Sequence, residues 1–204
     1  MPVPWIDQVK GFIAGDEGNA LFELGKSMSP KGPCLEIGGY CGLSTIYIGS
    51  GVKENQGILY SVDHHQGSEE HQPGEEFHDP DLYDSRRDRV DSFYEFRKNI
   101  SRANLEEVVV PIVAPSRIAA RKWHIPLSLV FIDGGHSYEA AITDYRSWAS
   151  HVLPGGILAI HDIFTDPANG GQAPYQIYQL ALASGLFQEY DMVNTLGLLR
   201  RVCA

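Results

Sequence analysis

The stretch Cys34-Leu-Glu-Ile-Gly-Gly-Tyr-Cys-Gly-Leu-Ser-Thr-Ile-Tyr-Ile48 decides the fold predicted for this chain of 204 residues. It begins as a short apolar strand, turns at a cluster of glycines and continues as an amphipathic helix over 43–49. Glycines at such a turn let the backbone bend tightly and approach a ligand closely, and the helix that follows begins with a partial positive charge. The stretch therefore predicts an α/β protein with a nucleotide-like ligand over the turn.

The spacing of these glycines separates two kinds of ligand site. The dinucleotide fingerprint G-x-G-x-x-G requires glycines at its third and sixth positions. Neither the register that starts at Gly38 nor the one that starts at Gly39 provides them. The spacing is instead E-x-G-x-x-x-G, formed by Glu36, Gly38 and Gly42. An NAD site is therefore the weaker interpretation.

Composition limits the classes of partner. Hydrophobic residues make up 43% and charged residues 21%, which is ordinary for a single globular domain spanning 1–204. A net charge of −10 argues against nucleic acid, because nucleic-acid binding normally requires a basic face. No apolar run approaches the ~20 residues that span a bilayer, and no signal segment opens the chain. We therefore expect a cytoplasmic protein with no membrane partner. The three cysteines form no C-x-x-C pair, which favours reduced thiols.

Two segments lie outside the predicted β/α units. Residues 5–29 are predicted to be helical, because Ile6, Val9, Phe12 and Ile13 recur at helical spacing. Residues 64–91 form a polar insertion, rich in histidine and acids, whose length is typical of functional or disordered loops. Its four histidines show no zinc-like spacing, and both a solvated loop and a substrate lid stay open. The remaining predictions are helices over 92–103 and 175–184, a turn at 154–156, and a closing antiparallel strand pair over 187–193 and 196–202.

Polar residues follow the later predicted strands. The strand over 57–63 ends in Asp63, and the one over 108–113 leads to Ser116. A continuous apolar strand from 127 delivers Asp133, and the fifth strand ends in His161 and Asp162. Open α/β sheets bind ligands at the carboxyl ends of their strands, where an acid after the second strand holds ribose hydroxyls. We therefore expect these side chains to share one site.

Four motifs carry a resemblance to a known family. They are Glu36–Thr45, Ile132–Tyr138 (I-D-G-G-H-S-Y), Pro154–Gly156 and His161-Asp162. Over roughly residues 17 to 202 the chain resembles class I S-adenosylmethionine (SAM)-dependent methyltransferases, and within them a small O-methyltransferase-like group. The resemblance implies a Rossmann-like seven-stranded sheet of strand order 3-2-1-4-5-7-6 with helices on both faces. It also implies SAM as cofactor and a small-molecule acceptor methylated on a hydroxyl oxygen, and leaves a homo-oligomer open. The residues implied to bind SAM are Glu36, Gly38, Gly39, Gly42, Ser44, Asp63, Ser116 and Asp133.

The resemblance also implies a metal and a base. Metal-dependent relatives place acids or amides at the ends of strands four and five, which correspond here to Asp133, His161 and Asp162. His161 departs from that pattern, and imidazole suits Mn²⁺ or Zn²⁺ better than Mg²⁺. His136, three residues beyond Asp133, corresponds to the base of the catechol enzymes, and histidine titrates near neutrality. The expected catalytic residues are thus His136 and Asp133, and the roles of a metal ligand or of a cap at the start of the next helix stay open for His136.

Three alternatives remain at this point. One is a metal-independent small-molecule methyltransferase in which a histidine alone removes the proton. Another is an NAD-dependent oxidoreductase, against which the glycine spacing counts. The last is a non-catalytic protein that binds SAM or a metal, for which the histidine-rich part of the insertion, 64–78, is the main support.

Overall fold

A seven-stranded sheet forms the centre of the molecule in the computed structural model, which describes residues 3–75 and 77–202. We label its strands β1 (Cys34–Ile37), β2 (Leu59–Asp63), β3 (Val109–Val113), β4 (Leu127–Ile132), β5 (Val152–Ile160), β6 (Phe187–Val193) and β7 (Leu196–Arg201). Their order is β3-β2-β1-β4-β5-β7-β6. Strands β1 to β5 are parallel, whereas β7 is antiparallel to both β5 and β6. The predicted Rossmann-like architecture is therefore confirmed.

Helices cover both faces of this sheet. They are α1 (Gly15–Met28), α2 (Leu43–Lys53), α3 (Phe93–Arg102), α4 (Ser116–Ala119), α5 (Tyr138–Trp148) and α6 (Ala173–Ala183). Helices α1, α2 and α3 share one core with Leu129 and Phe131, whereas α5 and α6 share the other with Val130 and Ile132. Successive side chains of β4 thus enter opposite cores. This burial on both faces explains the continuous apolar sequence of that strand.

The N-terminal segment differs from the prediction. Only Ile6–Gln8 forms a short 3-10 helix before the chain continues without regular secondary structure through 9–14, a segment that we call the strap. Helix α1 begins at Gly15, so the predicted helical run over 5–29 is wrong in its first half. Gly11 lies so close to helix α2 that a Cβ there would come within 2.7 Å of the Leu43 side chain. The strap's apolar residues are therefore explained by contacts with other parts of the chain, and not by a helical face.

The predicted turn at 154–156 is also different, because strand β5 runs through it. Leu127 pairs with Val152, yet Leu129 already pairs with Ile157, so extra residues of β5 bulge out between the two pairs. Gly155 adopts a φ of 74° within this bulge. The glycines mark a bulge inside one strand, and not the boundary between two elements.

The insertion over 64–91 is partly regular. It contains 3-10 turns at Glu69–His71 and Pro80–Leu82, and a small hairpin pairs Tyr83–Asp84 with Arg89–Val90. Leu82 and Val90 are buried with Cys41 of the glycine turn in a small third core. The insertion therefore packs against the glycine turn, at the carboxyl ends of the parallel strands.

No helix within the described part of the chain has both the length and the apolar character that crossing a bilayer requires.

Candidate active site

A cavity of about 630 Å³ opens at the carboxyl ends of the parallel strands. This volume lies within the range of ordinary small-molecule sites. Its walls come from the glycine turn, the strand ends, the strap and the insertion. The predicted site residues that line it are Gly38, Gly39, Ser44, Asp63, Ser116, Asp133, His136 and Asp162, whereas Glu36, Gly42 and His161 lie outside its lining.

Glycine is required at the turn by close packing against strand β4. Gly38 has a φ of 94°, in the left-handed region that L side chains rarely adopt. A Cβ on Gly38 would also overlap the carbonyl oxygen of Asp133. The turn thus brings the backbone after β1 against the end of β4, which forms the floor of the cavity.

Glu36 lies beneath this floor and supports it from inside. Its carboxylate is fully buried and accepts hydrogen bonds from Ser44 (3.0 Å) and Thr45 at the start of α2. Burial raises its pKa to about 7, although the hydroxyls of Thr45, Ser61 and Ser44 oppose that rise. Glu36 therefore stabilises the turn from inside the protein, and its side chain does not line the cavity.

Asp63, at the end of β2, faces the cavity. One carboxylate oxygen accepts the backbone N–H of Tyr40 at 2.8 Å, and the other accepts that of His65 at 2.7 Å. Each oxygen keeps a second lone pair. Asp63 can therefore fasten the glycine turn and still accept hydrogen bonds from a vicinal diol.

An acid that sequence reasoning missed lies next to Ser116. Asp144 of α5 is only 6% exposed and lines the cavity beside the turn that follows β3. Burial raises its pKa to about 6, against the effect of a hydrogen bond from Ser116. Ser116 also accepts the indole N–H of Trp148 at 2.8 Å. The turn after β3 lacks an acid in the sequence, and helix α5 supplies one from a position no local motif marks.

Asp133, His136 and Asp162 converge at the ends of β4 and β5. Each offers one ligand atom, and these atoms all lie within 4.8 Å of one another. All three residues are half-buried and line the cavity. Asp162 adopts a φ of 59°, a left-handed conformation that aspartate tolerates better than most residues. Among the described residues this is the one cluster with the geometry of a metal site.

His161, predicted as a metal ligand, lies behind this cluster and is only 4% exposed. Its Nε2 is 3.0 Å from Glu17 of α1, and its Nδ1 is 3.2 Å from Asp133. Burial alone would lower its pKa, but the carboxylates of Asp133, Asp162 and Glu17 outweigh burial and raise the pKa to about 12. The charged ring therefore supports the two aspartates from below.

His136, predicted as a base, is held between two carboxylates. Its Nε2 lies 2.8 Å from Asp162, and its Nδ1 lies 2.7 Å from Glu70 of the insertion. Hydrogen bonding to Asp162 raises the pKa of His136 to about 9; burial opposes the rise and Glu70 adds to it. In this arrangement the imidazole is protonated at neutral pH.

The strap and the insertion together form a roof over the cavity. Phe12 of the strap contacts Phe77 of the insertion edge-to-face, with ring centroids 5.2 Å apart. Tyr40 and His71 join the same aromatic group, with centroids 5.1 Å apart. Lys10 adds ion pairs to Asp79 (2.6 Å) and to Asp81. The insertion therefore packs against the strap and contributes residues to the cavity lining, and its role as a substrate lid stays a prediction.

Comparison with known families decides the class of the protein. A family model described as a methyltransferase domain matches residues 35–163, which is more than half of the chain. The chain belongs to this methyltransferase family. Membership confirms the recognition made from the motifs and removes the oxidoreductase alternative.

Solved structures share the fold of this methyltransferase at low sequence identity. An O-methyltransferase from Bacillus cereus in complex with SAH is 17% identical, with a TM-score of 0.65 over 97% of this chain and 86% of that one. The O-methyltransferase NovP is 15% identical, with a TM-score of 0.70 over 92% and 80% of the two chains. TomG from Streptomyces achromogenes, an O-methyltransferase of tomaymycin synthesis in complex with SAM, is 14% identical, with a TM-score of 0.64 over 94% and 82%. These similarities show the fold.

Proposed function

We propose that this methyltransferase uses SAM to methylate a hydroxyl oxygen of a small molecule with the help of a divalent cation. The observation that carries the proposal is one cavity that joins the glycine turn and Asp63 to the Asp133–His136–Asp162 cluster. A donor site and a reaction centre are therefore adjacent. The similar structures that contain SAM or SAH support the donor assignment.

In the donor half, the chain's own groups match the parts of a nucleoside. Asp63 would accept hydrogen bonds from the ribose hydroxyls, and Asp144 with Ser116 would accept from the amino group of adenine. The turn at Gly38 and Gly39 leaves room for the amino-acid part, because no side chain extends from those positions. When bound, SAM supplies a methyl group activated by its positive sulfur, so the protein mainly aligns donor and acceptor.

The three-residue cluster has the chemistry of a transition-metal site. Two carboxylates and one imidazole suit Mn²⁺, Fe²⁺ or Zn²⁺ better than Mg²⁺, which prefers oxygen ligands. A cation held by Asp133, His136 and Asp162 would lower the pKa of an acceptor hydroxyl. Ligands must be deprotonated, so metal binding would release the Nε2 proton of His136. Metal affinity should therefore increase with pH up to about 9.

The first experiment is calorimetric titration of the metal-free protein with SAM, then with Mn²⁺. We expect SAM to bind the wild type, and Asp63→Ala to weaken binding roughly 10- to 100-fold, since hydrogen bonds to a charged group contribute about 1.5–3 kcal/mol each. Glu106→Gln serves as the control, because Glu106 is exposed and lies outside the cavity lining. A wild-type protein that does not bind SAM would refute the proposed function.

The role of His136 is tested by its replacement with alanine. We expect turnover to fall at least 10-fold, because His136 belongs to the Asp133–His136–Asp162 cluster. SAM affinity should stay unchanged, because the ring is not part of the glycine turn. Turnover should also fall on chelation. Chelation-resistant turnover that rises with pH toward about 9 would instead identify His136 as a general base in a metal-independent enzyme.

A further inference from the structure

The insertion contacts the reaction centre directly through Glu70. Glu70 Oε2 lies 2.7 Å from His136 Nδ1, on the side of the ring opposite to Asp162. The side chain of Glu70 keeps 40% and that of His136 33% of its exposure, so both remain reachable from the cavity. The loops that follow strands β4 and β5 supply the other members of the cluster, whereas Glu70 comes from the insertion.

Local hydrogen bonds hold Glu70 in this position. It is the central residue of the 3-10 turn Glu69–His71, in which Ser68 bonds to His71 Nδ1 at 2.8 Å. Gln72 donates to the carbonyl of Ser68 at 2.9 Å and ties the end of the turn to its beginning. The next side chain, His71, packs on Tyr40 in the aromatic part of the roof. Consecutive residues thus anchor the turn to the roof and direct a carboxylate at His136.

We propose that Glu70 is a positioning residue for His136, and that the insertion thereby completes the reaction centre. This inference rests on the proposed function. A carboxylate that accepts from Nδ1 fixes the rotation of the imidazole and keeps Nε2 facing Asp162. Removal of such an outer partner of a histidine typically costs 10- to 100-fold in metal affinity or activity.

The test compares Glu70→Ala and Glu70→Gln with Glu75→Gln. Glu75 is an exposed acid of the same insertion outside the cavity lining, and it provides the matched control. For Glu70→Ala we expect kcat to fall roughly 10- to 100-fold and the Kd for Mn²⁺ to rise by a similar factor, while the KM for SAM stays unchanged. Glu70→Gln should recover part of this loss, because its amide oxygen still accepts from Nδ1.

A second readout depends on neither turnover nor metal. In ¹H–¹⁵N spectra of the metal-free protein, the Nδ1 proton of His136, assigned with His136→Gln, should be protected from exchange in the wild type and in Glu75→Gln. It should be lost in Glu70→Ala. If Glu70→Ala keeps both the protected resonance and wild-type kcat, the proposal is overturned.

Failure of the proposed function would look different. In that case the wild type would not bind SAM, yet the resonance of His136 would still depend on Glu70. If the wild type binds SAM, and Glu70→Ala raises the KM for SAM while kcat is kept, Glu70 supports the donor site instead and the positioning role is wrong.

Discussion

Glu36 combines a motif position with an unusual environment. Sequence alone marked it as a residue of the SAM site, but its carboxylate is completely buried between Ser44 and Thr45. A buried carboxylate is costly when charged. Its pKa is raised to about 7, so the folded protein favours the protonated form of Glu36. The stabilisation from this form is fully present below the ordinary pKa of 4.5 and is lost as pH rises through 7.

Replacement of Glu36 by glutamine tests this assignment. The neutral amide keeps the shape and avoids the charge, so the variant should become more stable relative to wild type as pH rises from 5 to 8. The relative gain should approach about 3 kcal/mol, given 1.36 kcal/mol per pKa unit. Urea unfolding at the two pH values measures it. A constant difference between variant and wild type would show that Glu36 does not titrate in this range.

Asp144 gives a second prediction for a single residue. Its carboxylate forms above a pKa of about 6, and only the charged form accepts fully from an adenine amino group. SAM affinity should therefore increase between pH 5 and 7, and Asp144→Asn should remove most of that increase. Titration calorimetry at both pH values checks this. An unchanged pH dependence in the variant would place the adenine elsewhere.

Among the elements, the roof brings together two segments far apart in sequence. The rings of Phe12 and Phe77 meet across it, although Phe12 remains 60% exposed. The ion pair of Lys10 with Asp79 lies close to solvent. Exposed ion pairs contribute about 0–1 kcal/mol and are screened by salt. The aromatic contact should therefore be the stronger of the two connections.

Phe12→Ala and Lys10→Met separate these contributions. We expect Phe12→Ala to speed chymotryptic cleavage after Phe77 several-fold and to raise the KM for the acceptor, because the roof opens more often. Lys10→Met should have a smaller effect, which disappears at high salt. Cleavage rates at low and high salt measure both variants. Equal effects at high salt would mean that the ring contact does not hold the roof.

Much of the fold could be predicted from the sequence, because the parallel strands are short apolar runs whose carboxyl ends carry polar residues. Strand order, the strand ends and the convergence of Asp133 with Asp162 therefore followed from pattern and resemblance. The strap was predicted incorrectly. Phe12 and Ile13 are apolar because they line the cavity and pack toward the core below α2, but their spacing in the sequence is the same as that of a helical face. The contacts of Glu70 and Asp144 were not predicted, because each depends on packing between segments distant in sequence.

For the molecule as a whole, the buried Glu17 connects helix α1 near the start of the chain to His161 after β5 and to the turn before the last strand. Glu17 in the first turn of α1 meets His161 after β5 and accepts from both the backbone N–H and the hydroxyl of Thr195, in the turn between β6 and β7. Burial opposes charge on both groups, yet the pKa of Glu17 falls to about 2 and that of His161 rises to about 12. The pair is therefore charged over a wide range of pH.

Loss of one partner should be costly. We expect Glu17→Ala to lower the free energy of unfolding by about 3 kcal/mol, since it removes one partner of a buried ion pair together with the acceptor of Thr195. Glu17 contributes above its ordinary pKa of 4.5, and His161 contributes fully below its ordinary pKa of 6.5, so the effect should be largest between those values. Denaturant unfolding from pH 3 to 9 tests this. An effect independent of pH would exclude the ion pair as its source.

The two ends of the insertion are joined by a hydrogen bond, which matters for enzyme engineering. The backbone N–H of Ser92, which precedes helix α3, donates to the carbonyl of His65 at 3.1 Å, so the two ends of the segment lie next to each other. The segment between these residues could therefore be replaced as a unit. Grafting a relative's loop between these two residues would exchange the roof in one step, and a graft that keeps an acid at the position of Glu70 should keep its contact with His136.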